Sequence, residues 1–107
     1  MPNKEIKELK FTNTESERFY VNVKTVAALI IPDDVAFDGK TFTFKVGMDR
    51  EKLFILKNSL NADITVTISK ASVVALDIQN FSGLAWIQVI SSDSLDGKFI
   101  EVIYREI

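Results

Sequence analysis

Thr41-Phe42-Thr43-Phe44-Lys45-Val46 is the stretch that decides the fold. Successive side chains of an extended chain point to opposite faces. Phe42, Phe44 and Val46 therefore share one face, and Thr41, Thr43 and Lys45 the other, the signature of a half-buried strand. Asp38-Gly39 stands just before it and is a strong turn signal.

The same period of two recurs on both sides of this strand. Upstream, Phe19, Val21 and Val23 oppose Tyr20, Asn22 and Lys24. Val26–Ile31 is a continuous apolar run, which predicts a strand with both faces covered, and Pro32 ends it. Downstream come the short apolar run Leu53–Leu56 and the alternation of Ile64, Val66 and Ile68 with Thr65, Thr67 and Ser69. A second apolar run follows at Ser72–Ile78, then Leu84–Ser91 with Trp86 on one face and Ile87 and Val89 on the other. A second Asp-Gly pair, Asp96-Gly97, precedes the last strand, in which Ile100, Val102 and Tyr104 oppose Phe99, Glu101 and Ile103.

These runs are short, closely spaced and separated by turn residues, and no stretch holds a convincing 3.6-residue period. The pattern predicts an all-β, antiparallel β-sandwich of about seven or eight strands, jelly-roll or Ig-like. Residues 1–14 are charged and carry only Ile6, Leu9 and Phe11 as apolar anchors, so they read as an N-terminal arm. Residues 15–107 read as one β-sandwich domain, and a chain of 107 residues suits a single core. The arm's apolar residues must be buried somewhere. They pack either on their own domain or on a neighbouring subunit.

Composition narrows the chemistry. The chain has no histidine and no cysteine. That leaves no disulfide framework and no thiolate zinc site, and removes the side chain that most often performs acid–base catalysis near neutral pH. The net charge is −2, with ten Lys/Arg and nine Asp/Glu in residues 1–58 and three and six in residues 59–107. Neither half is the basic footprint of a nucleic-acid binder, so no nucleic-acid partner is expected. The first residues have no apolar segment behind them, and the longest apolar run is far below the ~20 residues of a spanning helix, so neither a secretory signal nor a membrane span is expected.

The remaining chemical candidates each have a simpler explanation. Asp33, Asp34 and Asp38 crowd one loop but match no EF-hand spacing, and Asp favours turns for its own backbone hydrogen bonds. Asp93 and Asp96 flank the last turn, and Glu15 and Glu17 sit at the hinge of the arm without the context of a glycosidase pair. Ser82 and the serines of Ser91-Ser92-Asp93-Ser94 lack a base to activate them. The four glycines are isolated, so no phosphate loop exists. No catalytic residue, metal ligand or cofactor site is expected, and the chain reads as a non-enzyme. Trp86, Tyr20, Tyr104 and Phe81 raise a carbohydrate-platform reading. Trp86 reads as a core residue, whereas Phe81, in a loop, is the better candidate for an exposed contact, the equal alternative being a plug at the end of the core.

From Ala28 onward the pattern resembles a group of small virion proteins of tailed bacteriophages. The resemblance rests on Ile30-Ile31-Pro32, on Phe37-Asp38-Gly39 before Phe42-Thr43-Phe44, and on Leu53-Phe54. It continues through Ile64-Thr65-Val66-Thr67, Val74-Ala75-Leu76 and Phe81-Ser82-Gly83-Leu84 to Trp86-Ile87-Gln88-Val89-Ile90-Ser91 and Val102-Ile103-Tyr104-Arg105. It covers roughly residues 26–107 and leaves out the arm. The resemblance implies a structural part of the particle: a capsid decoration (cement) protein or a head–tail accessory protein, made in the host cytoplasm and carried in the virion. Its implied partners are the major capsid protein or other virion proteins, and copies of itself in a homo-oligomer, with a trimer favoured. Ile6, Leu9, Phe11 and Phe81 are the candidate interface residues. The alternative is a carbohydrate- or host-binding module of the tail or neck.

Overall fold

The computed structural model describes residues 4–21, 24–81 and 83–106. Asn22, Val23 and Ser82, and the first three residues of the expected arm, lie outside the described residues. Ten strands form among the described residues, all paired antiparallel: β1 (Lys4–Thr12), β2 (Glu15–Ser16), β3 (Phe19–Tyr20), β4 (Lys24–Ile31), β5 (Thr41–Asp49), β6 (Lys52–Ile55), β7 (Val66–Thr67), β8 (Ser72–Ala75), β9 (Trp86–Ser91) and β10 (Phe99–Glu106). Two short 3-10 turns, Val35–Phe37 and Ile78–Asn80, are the helical elements among the described residues.

The strands form one sheet in the order β6-β5-β9-β2-β1-β10-β4-β8, with β3 on β9 and β7 on β5. The ladder is continuous where the sequence predicts two separate sheets. Continuity comes from β1. Its residues Lys4–Lys10 pair with β10, whereas Phe11 and Thr12 pair with Ser16 and Glu15 of β2. The strand thus serves as a corner, and the sheet curls round it so that one face of each half closes on a single core. Across the opening, β7 lies on the edge of β5, and the chain runs on to β8 on the edge of β4.

The core follows the alternation of the sequence. Phe42, Phe44 and Val46 of β5, Ile87 and Val89 of β9, and Ile100 and Val102 of β10 are all buried. Phe19 and Val21 are buried while Tyr20 between them is exposed. Burial of such side chains, each contributing roughly 1.5–3 kcal/mol, is what holds the curl closed.

Two expectations differ from the structure. First, the strand count is ten, because β2, β3 and β7 have two residues each and are too short to display alternation. Second, the segment read as an arm is a nine-residue strand at the centre of the sheet. Charge hides the alternation. Ile6 lies on the outer face and Leu9 and Phe11 in the core, as a period of two requires, but Lys7 takes the inward parity before Leu9 and leaves only two apolar residues on that face.

Candidate functional site

The surface of interest is the outer face of β1-β10-β4-β8. Registration across these four strands builds it row by row. Ile6 sits opposite Ile103, Ile103 opposite Ala28, and Ala28 opposite Ala75. The next row runs Glu8, Glu101, Ile30, Val73, and the row beyond pairs Lys10 with Phe99. Ile6 is 59% exposed, Val73 65% and Phe99 42%. No described segment of the chain covers this face.

That finding explains the apolar run Val26–Ile31. A strand with one wet face alternates, and a near-continuous apolar run marks two dry faces. In β4, Val26, Leu29 and Ile31 fill the core, while Ala28 and Ile30 belong to the outer face. The second covering expected from the sequence is not supplied by the described chain. Between the rows lies a shallow groove of about 130 Å³, lined by Glu8, Ile30, Pro32, Phe99, Ile100 and Glu101.

Of the four residues singled out in the sequence, Ile6 alone faces outward. Leu9, Phe11 and Phe81 are buried and cannot touch a partner in this conformation, a correction to their reading as interface residues. Phe11 packs against Phe42 with ring centroids 5.7 Å apart, and Phe81 meets Phe44 edge-on at 5.0 Å. Phe81 follows the turn Ile78–Asn80, which folds its ring under the sheet. Phe99, Ile30 and Val73 were not singled out. The signal that finds them is apolar residues at outward positions of three strands that the register places side by side.

The aromatic expectations also change places. Trp86 is half-buried on the outer side of the other half of the sheet, not in the core. It sits opposite Gly47 of β5 and Tyr20 of β3. The Tyr20 and Trp86 rings are 5.2 Å apart, tilted by 50°, and the Arg50 guanidinium lies 5.8 Å from the Trp86 ring centroid. A third exposed apolar group, Met48, Phe54 and Leu60, sits on the β5–β6 hairpin and the loop after it.

The carboxylates serve the backbone. Asp34 accepts from the Ala36 N–H at 2.9 Å and pairs with Lys98 at 2.8 Å. The Lys98 ammonium, and then that backbone bond, hold its pKa below the usual value. Asp38 accepts from the Lys70 N–H at 2.8 Å, and Asp96 from the Asn13 N–H at 2.8 Å. At the open end of the curl, Lys24 is ion-paired with Glu5 and lies 5.3 Å from the Tyr104 ring centroid. Glu5 is held below the ordinary carboxylate pKa by Lys24 and then by the Tyr104 hydroxyl. Lys24 is raised by Glu5, and Tyr104 is raised chiefly by burial and then by Glu5. Among the described residues, no group of three or more Asp and Glu is placed to hold a metal ion.

No protein-family model matches the sequence, and a comparison with curated proteins gives no match. Among solved structures, the crystal structure of the SPBc2 prophage-derived protein YomS is similar, with a TM-score of 0.64 and 13% identity. The similarity covers 99% of this chain and 96% of that one, so the two share the curled antiparallel fold from end to end.

Proposed function

We propose that the protein is a non-enzymatic structural component of a bacteriophage particle, a capsid decoration (cement) protein that works by protein–protein contact. The observation that carries this reading is the apolar outer face of β1-β10-β4-β8, where exposed Ile6, Val73 and Phe99 surround half-buried Ile30 and Ile103. Contiguous exposed apolar surface of this kind marks an interaction site. The fold shared with a prophage-derived protein supplies the phage context. Docked across a joint between shell subunits, such a face adds apolar contact that must be broken before the joint opens, and its polar residues set register.

The test is co-sedimentation of the purified protein with assembled shells of its own phage. Binding of the native chain, lost in Ile6→Asp/Val73→Asp with folding intact, supports the reading. Failure of the native chain to co-sediment with shells overturns it. A tail or neck module that binds carbohydrate is the second reading, favoured by exposed Tyr20 packed beside half-buried Trp86 on the outer face. Glycan-array binding lost on Trp86→Ala, with no binding to shells, selects it.

A further inference from the structure

The centre of the apolar face holds a feature that apolar contact alone does not use. Glu8 of β1 and Glu101 of β10 are directly opposite one another in the ladder. Like charges at such a position repel and destabilise the pair. Among the described residues neither glutamate has an ion-pair partner within 4.0 Å. Lys10, two residues along β1 from Glu8 on the same face, has its ammonium 5.9 Å from the centroid of the Phe99 ring and forms no ion pair within 4.0 Å with either. The two carboxylates border the groove of about 130 Å³ whose remaining walls are Ile30, Pro32, Phe99 and Ile100. An apolar trough edged by two carboxylates with no ion-pair partner among the described residues is complementary to a long aliphatic stem that ends in a positive charge.

We propose that this groove receives a lysine or arginine side chain of a protein partner. Its methylene stem lies along Ile30, Pro32 and Phe99, and its charged head sits between Glu8 and Glu101. The occupant is a different protein rather than a second copy docked face to face, since two copies meeting about an axis through the groove would set four carboxylates together. The proposal rests on the docking role of this face and adds the chemistry of what docks: an apolar surface with a basic residue at its centre. The price of the repulsion between Glu8 and Glu101 in the unbound protein is recovered when the cation arrives.

The test uses the intact protein and two small probes, N-acetyl-lysine methylamide and its uncharged counterpart N-acetyl-norleucine methylamide. Amide resonances are followed by 15N-correlated NMR during titration. The lysine probe is expected to shift residues 8, 30 and 99–101 along a saturating curve, and the norleucine probe about ten-fold more weakly. The double variant Glu8→Gln/Glu101→Gln keeps shape and hydrogen-bonding capacity, so it folds with undiminished thermal stability, and its response to the lysine probe falls to that of norleucine. The idea is overturned if the two probes act alike, if neither shifts these residues, or if the double variant binds lysine as the native chain does. It is also overturned if the same resonances move with protein concentration and no probe, which would give the face to a second copy. Shell co-sedimentation separates this failure from that of the docking role. A chain that binds shells but ignores lysine refutes the groove alone. A chain that binds lysine but no shells refutes the docking role and leaves the groove standing.

Discussion

Replacing Phe11 with alanine separates a core strand from a docking arm. Phe11 is fully buried, 5.7 Å from the Phe42 ring, at the point where β1 leaves β10 and joins β2. Its backbone is fixed too: its N–H donates to the Lys98 carbonyl at 2.8 Å, and its carbonyl accepts from the Gly97 N–H at 3.0 Å. The cavity left at such a site cannot collapse, because β1, β2 and the turn before β10 are all tied to this backbone. Phe-to-Ala changes in cores cost about 3–5 kcal/mol, and this position belongs in the middle of that range, about 4 kcal/mol. Urea unfolding is read by the fluorescence of Trp86, the only tryptophan in the chain. With a slope of about 2 kcal/mol per molar urea, the midpoint falls by about 2 M. Ile6→Ala, on the exposed face of the same strand, is the control and shifts stability by about 0.5 kcal/mol or less. If Phe11→Ala moves the midpoint no further than Ile6→Ala, β1 is not part of the folded core, and the description of the sheet as one continuous curl fails.

Gly47→Ala is expected to destabilise the β5–β6 hairpin by about 1–3 kcal/mol, since an added Cβ would lie 2.4 Å from the Lys52 carbonyl oxygen, a backbone atom with little freedom to move. A midpoint equal to that of the native chain would contradict the close strand approach. The Glu5–Lys24–Tyr104 cluster gives a pH dependence with a definite sign. The folded-state pKa of Glu5 is depressed, so its contribution is present above the unfolded value and is lost as pH falls through the folded one, below 4.5. Lys24 and Tyr104 are raised above 10.5 and 10.0, so theirs is present below those values and is lost as pH rises through the folded ones. Asp34, depressed below 3.8, adds to the acid side. Glu5→Gln should flatten the acid limb of a Tm-versus-pH curve and Lys24→Met the alkaline limb. Curves parallel to the native one would show that the cluster does not couple to folding.

Much of the fold was legible because a strand repeats every two residues and a turn needs few residue types. Phe42, Phe44 and Val46 point inward as their spacing predicts, and both Asp-Gly pairs lie in connections, where Gly39 and Gly97 have φ of +74° and +75°. Such values are nearly cost-free for glycine and strained for most other residues. The path of β1 was not legible. Its alternation holds, but Lys7 stands where an inward apolar residue would mark it, so Ile6, Leu9 and Phe11 look like scattered anchors. Phe81 could not be placed either, because a loop aromatic is buried or exposed by the tertiary contacts it finds. The surface was half legible. The run Val26–Ile31 asks for two covered faces, but no local pattern says what supplies the second.

By itself the sequence determined the longer alternating strands from β4 onward, the Asp-Gly turns and the absence of histidine and cysteine chemistry, since each follows from residue type and nearest-neighbour spacing. Tertiary structure alone decided which strands lie side by side. It therefore decided that Glu8 meets Glu101, and that Ile6, Ile103, Ile30, Val73 and Phe99 share one uncovered face. Partners in a curled sheet can be far apart in the chain, as Glu8 and Glu101 are at 93 residues, and no local period carries information over that distance.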